Sequence, residues 1–254
     1  MIIDAHAHCD VRFGWVHTPD VLLRIMDEGG IDQCCITGLA DIPGDDDTSY
    51  PRFVAALRAH PDRIAAGYLR INPWYGQVAR DLLTRAVRED GIRGMKLHPT
   101  TIILPPNAPA VIEFVRLAGE LGVPVLIHSG DDPNALPLQI GECAAACPDT
   151  NIIMGHMGGV FFAEDALRVA ARHRNVYLDP SGNPRPDIVR KAVDAVGAEQ
   201  VVFGTDMPAM HPRVELKKIE LARLTPEERE LICWKNIARL MHLPVGETAP
   251  AGTA

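Results

Sequence analysis

His6 and His8 close the first apolar run of the chain, Met1-Ile2-Ile3-Asp4-Ala5-His6-Ala7-His8. Side chains alternate across a β-strand, so residues two apart point to one face and converge on one spot. Two imidazoles so placed can share a metal ion, because histidine is the commonest ligand of zinc and similar divalent cations and a strand end holds its side chains stiffly. Further polar side chains end later apolar runs: Lys96 and His98 in Lys96-Leu97-His98-Pro99, His128 in Leu126-Ile127-His128, His156 in Met154-Gly155-His156, and Asp206 in Phe203-Gly204-Thr205-Asp206. Taken singly, each reads equally well as a hydrogen-bonded rim or turn residue, Asp206 as an N-cap before Pro208. Independent coincidence at so many strand ends is a poor explanation, whereas a shared metal centre accounts for them together.

Short β-branched runs alternate eight times with helical patterns, at 1–8, 33–38, 64–72, 92–98, 123–128, 151–156, 176–179 and 201–206. No Ser- or Gly-rich linker interrupts them. Thr18-Pro19 opens one helix and Gly29-Gly30 closes it; Pro109 precedes another over 110–121, ended by Gly122; Thr225-Pro226-Glu227-Glu228 starts the last. Strands alternating with helices imply right-handed βαβ units and a parallel sheet. Eight units predict a single-domain (β/α)8 TIM barrel over 1–243, followed by a tail over 244–254, with a doubly wound open sheet as the competing arrangement. A barrel collects its chemistry at the carboxyl ends of its strands, which is where the histidines stand.

At 254 residues the chain can form one such barrel, and 47% apolar with 23% charged residues fits a globular protein. No apolar run approaches the ~20 residues that span a bilayer. No basic segment precedes the first apolar run, so the expectation is a cytoplasmic protein. A net charge of -8 argues against nucleic acid as a partner. The six cysteines lack the spacing of a disulfide framework and read as apolar filler, Cys143 and Cys147 included.

With Asp4-Ala5-His6-Ala7-His8, Leu126-Ile127-His128, Gly155-His156-Met157-Gly158-Gly159, Phe203-Gly204-Thr205-Asp206-Met207-Pro208 and Asn236-Ile237-Ala238-Arg239-Leu240 in this order, the chain resembles the amidohydrolase superfamily, and within it the amidohydrolase-2 family. The resemblance implies that His6, His8, His128 and Asp206 ligate one divalent metal, Zn2+ by expectation, and that His156 orients water or substrate. Such an ion lowers the pKa of a coordinated water towards about 7, and Asp206 would serve as both ligand and proton acceptor. Lys96 admits three readings. In binuclear members of the superfamily a lysine at the end of strand four is carboxylated and bridges two metals, with His156 on the second ion; unmodified, Lys96 offers an ammonium to an anionic substrate, or stands as a structural cation beside Asp4 or Asp206.

Arg70, Asn72, His98 and Arg185 are the candidates for reading the substrate, Arg70 through its planar fork. Arg12, Ser181, Asn183 and His211 follow strand ends, and Trp74 and Tyr75 are candidates for lining the pocket. The leading expectation is a metal-dependent hydrolase attacking an ester, lactone or amide carbon of a small carboxylated molecule. The alternatives are a non-oxidative decarboxylase of the aminocarboxymuconate-semialdehyde decarboxylase type and a TatD-like nuclease, which would place a glutamate where Lys96 stands. The expected partner is a small molecule, with a homodimer as candidate assembly and neither nucleic acid nor membrane.

Overall fold

The computed structural model describes residues 1–12 and 14–244; past residue 244, the expected tail lies outside the described residues. Among them a curled parallel sheet runs in sequence order through β1 (Ile3–His8), β2 (Gln33–Thr37), β3 (Ile64–Arg70), β4 (Gly94–Leu97), β5 (Val125–His128), β6 (Ile152–Gly155) and β7 (Val176–Leu178). Helices follow the strands: α1 (Pro19–Gly29), α2 (Ser49–Ala59), α3 (Gly76–Glu89), α4 (Pro109–Glu120), α5 (Pro137–Ala146), α6 (Ala163–Arg172), α7 (Ile188–Val196) and α8 (Pro212–Leu221). This is the single-domain TIM-barrel arrangement that the alternation predicts.

The eighth run is not a regular strand. It bridges β7 only at Val201 to Leu178 and β1 only at Met207 to Ala7. It nevertheless joins the two edges: Val202 N donates to Leu178 O, Ala5 N to Phe203 O, Asp206 N to His6 O and His8 N to Met207 O, at 2.7 to 2.9 Å. The ladder breaks because Phe203 N donates instead to Ile232 O, 2.9 Å, on a π-helical stretch, Leu231–Lys235, of the last helix. Closure by this segment matters because it carries Asp206.

Two apolar clusters divide the core. Strand residues such as Ile36, Met95, Val125, Ile127, Ile152 and Met154 pack against the helices. Ile3, Ala5, Cys35, Tyr68, Leu126, Ile153 and Val202 fill the inside of the barrel, where Ile237, Leu240 and Met241 of the terminal helix plug the floor. Burial on both faces explains why the strands read as near-continuous apolar runs. In β1 the register with β2 slips between Asp4 and Ala7, a β-bulge. The Tyr68 hydroxyl donates to the Ala5 carbonyl there, 3.0 Å. Strict alternation along the run would put Asp4 on the face of His6 and His8, and the bulge prevents it: Ile3 and Ala5 face the interior, and the Asp4 carboxylate is spent on Thr205 and the His6 amide.

A three-residue hairpin, Asp10–Arg12 with Trp15–His17, follows β1 and is absent from the sequence-based expectation, its strands being too short to show a periodicity. All six cysteines are buried and unbridged. Among the described residues no helix is long and apolar enough to cross a membrane.

The Asn236 amide, in the terminal motif, donates to the carbonyls of Ala198 and Val201, both at 2.8 Å, and pins the entry of the eighth segment to the floor. Asn236→Ala removes the side-chain donor of both carbonyls, Ala198 O keeping the Val201 amide at 3.2 Å, and should cost about 1 to 2 kcal/mol. A drop in the denaturant midpoint is the expected reading; an unchanged midpoint would contradict this role.

Candidate metal centre

Side chains from β1, β4, β5, the turns after β6 and β7 and the eighth segment meet at one end of the barrel. His6 is fully buried; its Nδ1 donates to Asp179 Oδ2 at 2.8 Å, which leaves Nε2 with its lone pair facing inward. Nε2 lies 3.0 Å from Lys96 Nζ and 3.5 Å from Asp206 Oδ1. His8 Nε2 lies 3.0 Å from the same Asp206 oxygen, while His8 Nδ1 is buried without a partner among the described residues. His156 Nδ1 donates to the Ser181 carbonyl at 2.9 Å, so this imidazole too keeps Nε2 free.

His156 and Asp206 both adopt φ near +62°, with Met157 beside them at +34°. Non-glycine residues populate this left-handed region rarely, and such strain, of order 1 kcal/mol or more, persists where surrounding contacts over-determine it. For Asp206 those contacts come from its neighbour. Thr205 donates through its amide, at 3.0 Å, and its hydroxyl to Asp4, while that hydroxyl accepts from Met207 N at 3.0 Å. Gly204 makes room for the arrangement: a Cβ at this position would fall 2.4 Å from Asp179 Oδ1.

One ligand atom each from His6, His156 and Asp206 lie within 4.8 Å of one another, the group among the described residues with the spacing of a metal site. Ligands bound at about 2.1 Å in tetrahedral geometry stand about 3.4 Å apart, close to the separation of His6 from Asp206. The donor set also fits. Two imidazoles with the far nitrogen already committed, a carboxylate beside them and an unpartnered buried nitrogen on His8 are the chemistry of a divalent-cation site.

Electrostatics keeps these groups in ligand form. Burial, aided by the nearby Lys96, lowers the His6 pKa to about 4 despite the pull of Asp179. Burial likewise lowers His8 and His128. Burial lowers Lys96 to about 7, although Asp206 opposes it. For Asp206, burial acts upward, and the His8 hydrogen bond and the neighbouring imidazoles overcome it, holding the carboxyl well below its ordinary range.

His128 comes to the same mouth in a different role from the tight group: its ring stands edge-on to His156, centroids 4.7 Å apart, and stacks on His98 at 4.0 Å and 15°. His98 is brought down to about 2, by burial first and then by Arg70 and Lys96, so the stacked pair is neutral. The Arg70 fork is taken by Asp41, at 2.6 and 3.0 Å, with Thr101 Oγ1 at 2.8 Å. Asn72 accepts from Trp74 N and lines a cavity of about 360 Å³ with Arg70, Asp41 and Thr101. Arg185 is not at the mouth group; it pairs with Glu164 and Asp187. Arg12 pairs with Asp45, His211 caps α8, Asn183 donates to Gly159 O, and Trp74 and Tyr75 are exposed on the rim.

Sequence reasoning missed Asp179. It ends an apolar run as the histidines do, but nothing local distinguishes a carboxylate that orients a ligand from one that caps a turn.

The amidohydrolase family profile matches residues 3–243. No curated protein sequence matches the chain significantly. Similar solved structures include an uncharacterised TIM-barrel protein from Bordetella bronchiseptica, at 18% identity and TM-score 0.77, covering 95% of this chain and 98% of that one. A protein from Acinetobacter baumannii described as "probable 2-pyrone-4,6-dicarboxylic acid hydrolase", with citric acid bound, has 17% identity and TM-score 0.70, covering 95% and 99%. A dihydroxybenzoic acid decarboxylase from Polaromonas, with manganese and 2-nitroresorcinol bound, has 18% identity and TM-score 0.70, covering 96% and 98%.

Asp179→Ala removes the acceptor that fixes the His6 ring. It should weaken divalent-cation binding by about 10- to 100-fold, read by competition with a chromophoric chelator; unchanged affinity would show that His6 needs no such partner.

Proposed function

This chain belongs to the amidohydrolase family, and on that premise we propose that it is a metal-dependent hydrolase of a small carboxylated substrate, opening an ester, lactone or amide bond. The observation that carries the reading is the Asp206 carboxylate, 3.0 Å from His8 Nε2 and 3.5 Å from His6 Nε2 at the barrel mouth. His6, His8, His128 and Asp206 would hold one divalent cation, with His156 close enough to His6 and Asp206 to exchange places with His128 as a ligand. Zinc suits the imidazole-rich set, and manganese, present in the Polaromonas structure, is the competing ion. When bound, the cation supplies Lewis acidity, polarising the oxygen of the group under attack.

The protein's own groups supply the rest. Asp206, held as a carboxylate, accepts the proton of the attacking water. His156, its Nδ1 committed to Ser181, presents Nε2 to the reacting atoms. Lys96 has one hydrogen-bond partner among the described residues, His6 Nε2, so its remaining N–H donors are available to an anionic oxygen of the substrate. The stacked, neutral His98 and His128 offer a flat wall for the substrate body. Arg70, already paired with Asp41, is better placed to brace this wall than to grip a carboxylate. One ion beside an unmodified Lys96 is the reading adopted, with Lys96 Nζ 3.0 Å from His6 Nε2 at the edge of the ligand group.

The second reading is decarboxylation, favoured by the likeness to dihydroxybenzoate decarboxylases. There His156 would deliver a proton to the carbon that loses carbon dioxide.

Asp206→Asn keeps the shape and removes the base, so turnover should fall by about 10²-fold or more with the fold intact by circular dichroism. Retained turnover would dismiss the role. A panel of carboxylated lactones, amides and hydroxybenzoates, assayed for ring-opened or cleaved product and for released carbon dioxide, separates the two reactions: the hydrolase reading expects products without carbon dioxide.

A further inference from the structure

α8 carries two buried charged side chains that do not touch the metal centre, Glu215 and Lys218. Lys218 Nζ lies 2.5 Å from Glu215 Oε2 and donates to the carbonyls of Pro180 and Asn183, both at 2.9 Å. The two carbonyls take two of the three ammonium donors, and Glu215 Oε2, buried with no hydrogen bond of its own among the described residues, faces Lys218 as its counter-charge. The other Glu215 oxygen accepts from Gly182 N at 3.3 Å. The pair is thus tied at three points to the backbone of one short turn, 180–183, which follows β7.

A buried ion pair is a poor source of net stability, since desolvation offsets most of its attraction and apolar side chains of similar volume would pack as well. Its value lies in what the turn holds. The Ser181 carbonyl accepts from His156 Nδ1 at 2.9 Å, and the Ser181 amide and hydroxyl, both at 2.9 Å, donate to Asp179, the acceptor of His6 Nδ1. Gly182, at φ +69°, lies so near that a Cβ there would stand 3.4 Å from His156 Nδ1. The same turn therefore sets the ring orientation of both imidazoles in the tight group.

We propose that Lys218, with Glu215, is a positioning residue of the metal centre, clamping turn 180–183 so that His6 and His156 both present Nε2 inward. The inference rests on the metal reading above. It predicts that loss of the Lys218 donors to the turn acts on two side chains that Lys218 never contacts.

The test uses the full-length protein, with zinc as the probe ion. Lys218→Met should weaken zinc binding at least tenfold in chelator competition. In the metal-free protein it should move the His156 ¹⁵N signals from one fixed tautomer, protonated at Nδ1, to a mixture, which a merely structural loss would not do. Lys218→Gln, which keeps N–H donors for the two carbonyls, should stay within threefold of the wild type. Should the methionine variant fail to fold, Glu215→Met, which removes the acceptor of Gly182 N together with the partner of Lys218, is expected to weaken zinc binding at least threefold. Wild-type affinity and an unmoved His156 tautomer in Lys218→Met, or unchanged affinity in Glu215→Met, would overturn the proposal. Absence of zinc binding by the wild type would overturn the metal reading alone, and the tautomer measurement would still decide the role of Lys218.

Discussion

A buried imidazole has two nitrogens, and to aim one at a ligand the protein must occupy the other. His6 meets this condition with Asp179 and His156 with the Ser181 carbonyl. Both acceptors sit on one stretch after β7, separated from the strand that carries His6 only by the eighth segment. The closure of the barrel is therefore a condition of the site as well as of the core. If the eighth segment did not join β1 to β7, Asp206, Asp179 and His6 would have no common geometry.

The means of closure is unusual for a strand. The segment surrenders regular pairing, giving the Phe203 amide to the terminal helix, and recovers its hold on β1 through Asp4 and Thr205. The irregularity leaves Asp206 in the left-handed region with its carboxylate turned towards His8 and His6. A regular strand would alternate Thr205 and Asp206 across the sheet and end the ladder there. The bulge in β1 does the matching work on the other side, because Ile3 and Ala5 plug the interior while His6 and His8 still reach the mouth.

Much of this was legible in the sequence. Short, near-continuous apolar runs and capping signals located the strands and helices, since burial on both faces and helix ends constrain residue type locally; Gly30 in αL and the Thr225–Glu228 capping box are examples. His6, His8, Lys96, His128, His156 and Asp206 stood out because each polar residue ends an apolar run. What the sequence could not carry was pairing between remote residues. Arg70 reads as an anion fork until Asp41, from another strand's loop, is seen to fill it. Arg185 reads as a rim residue until Glu164 and Asp187 claim it. Asp179, Lys218 and Glu215 have no local signature at all, since their importance lies in backbone groups and rings far along the chain.

The central claim is that ligands from remote strand ends share one cation at the barrel mouth. Anomalous diffraction from crystals loaded with zinc or manganese tests it directly. A single peak in contact with both His6 and Asp206 is the predicted result. A well-ordered crystal with no peak there, or with the ion bound only elsewhere on the protein, would contradict the account.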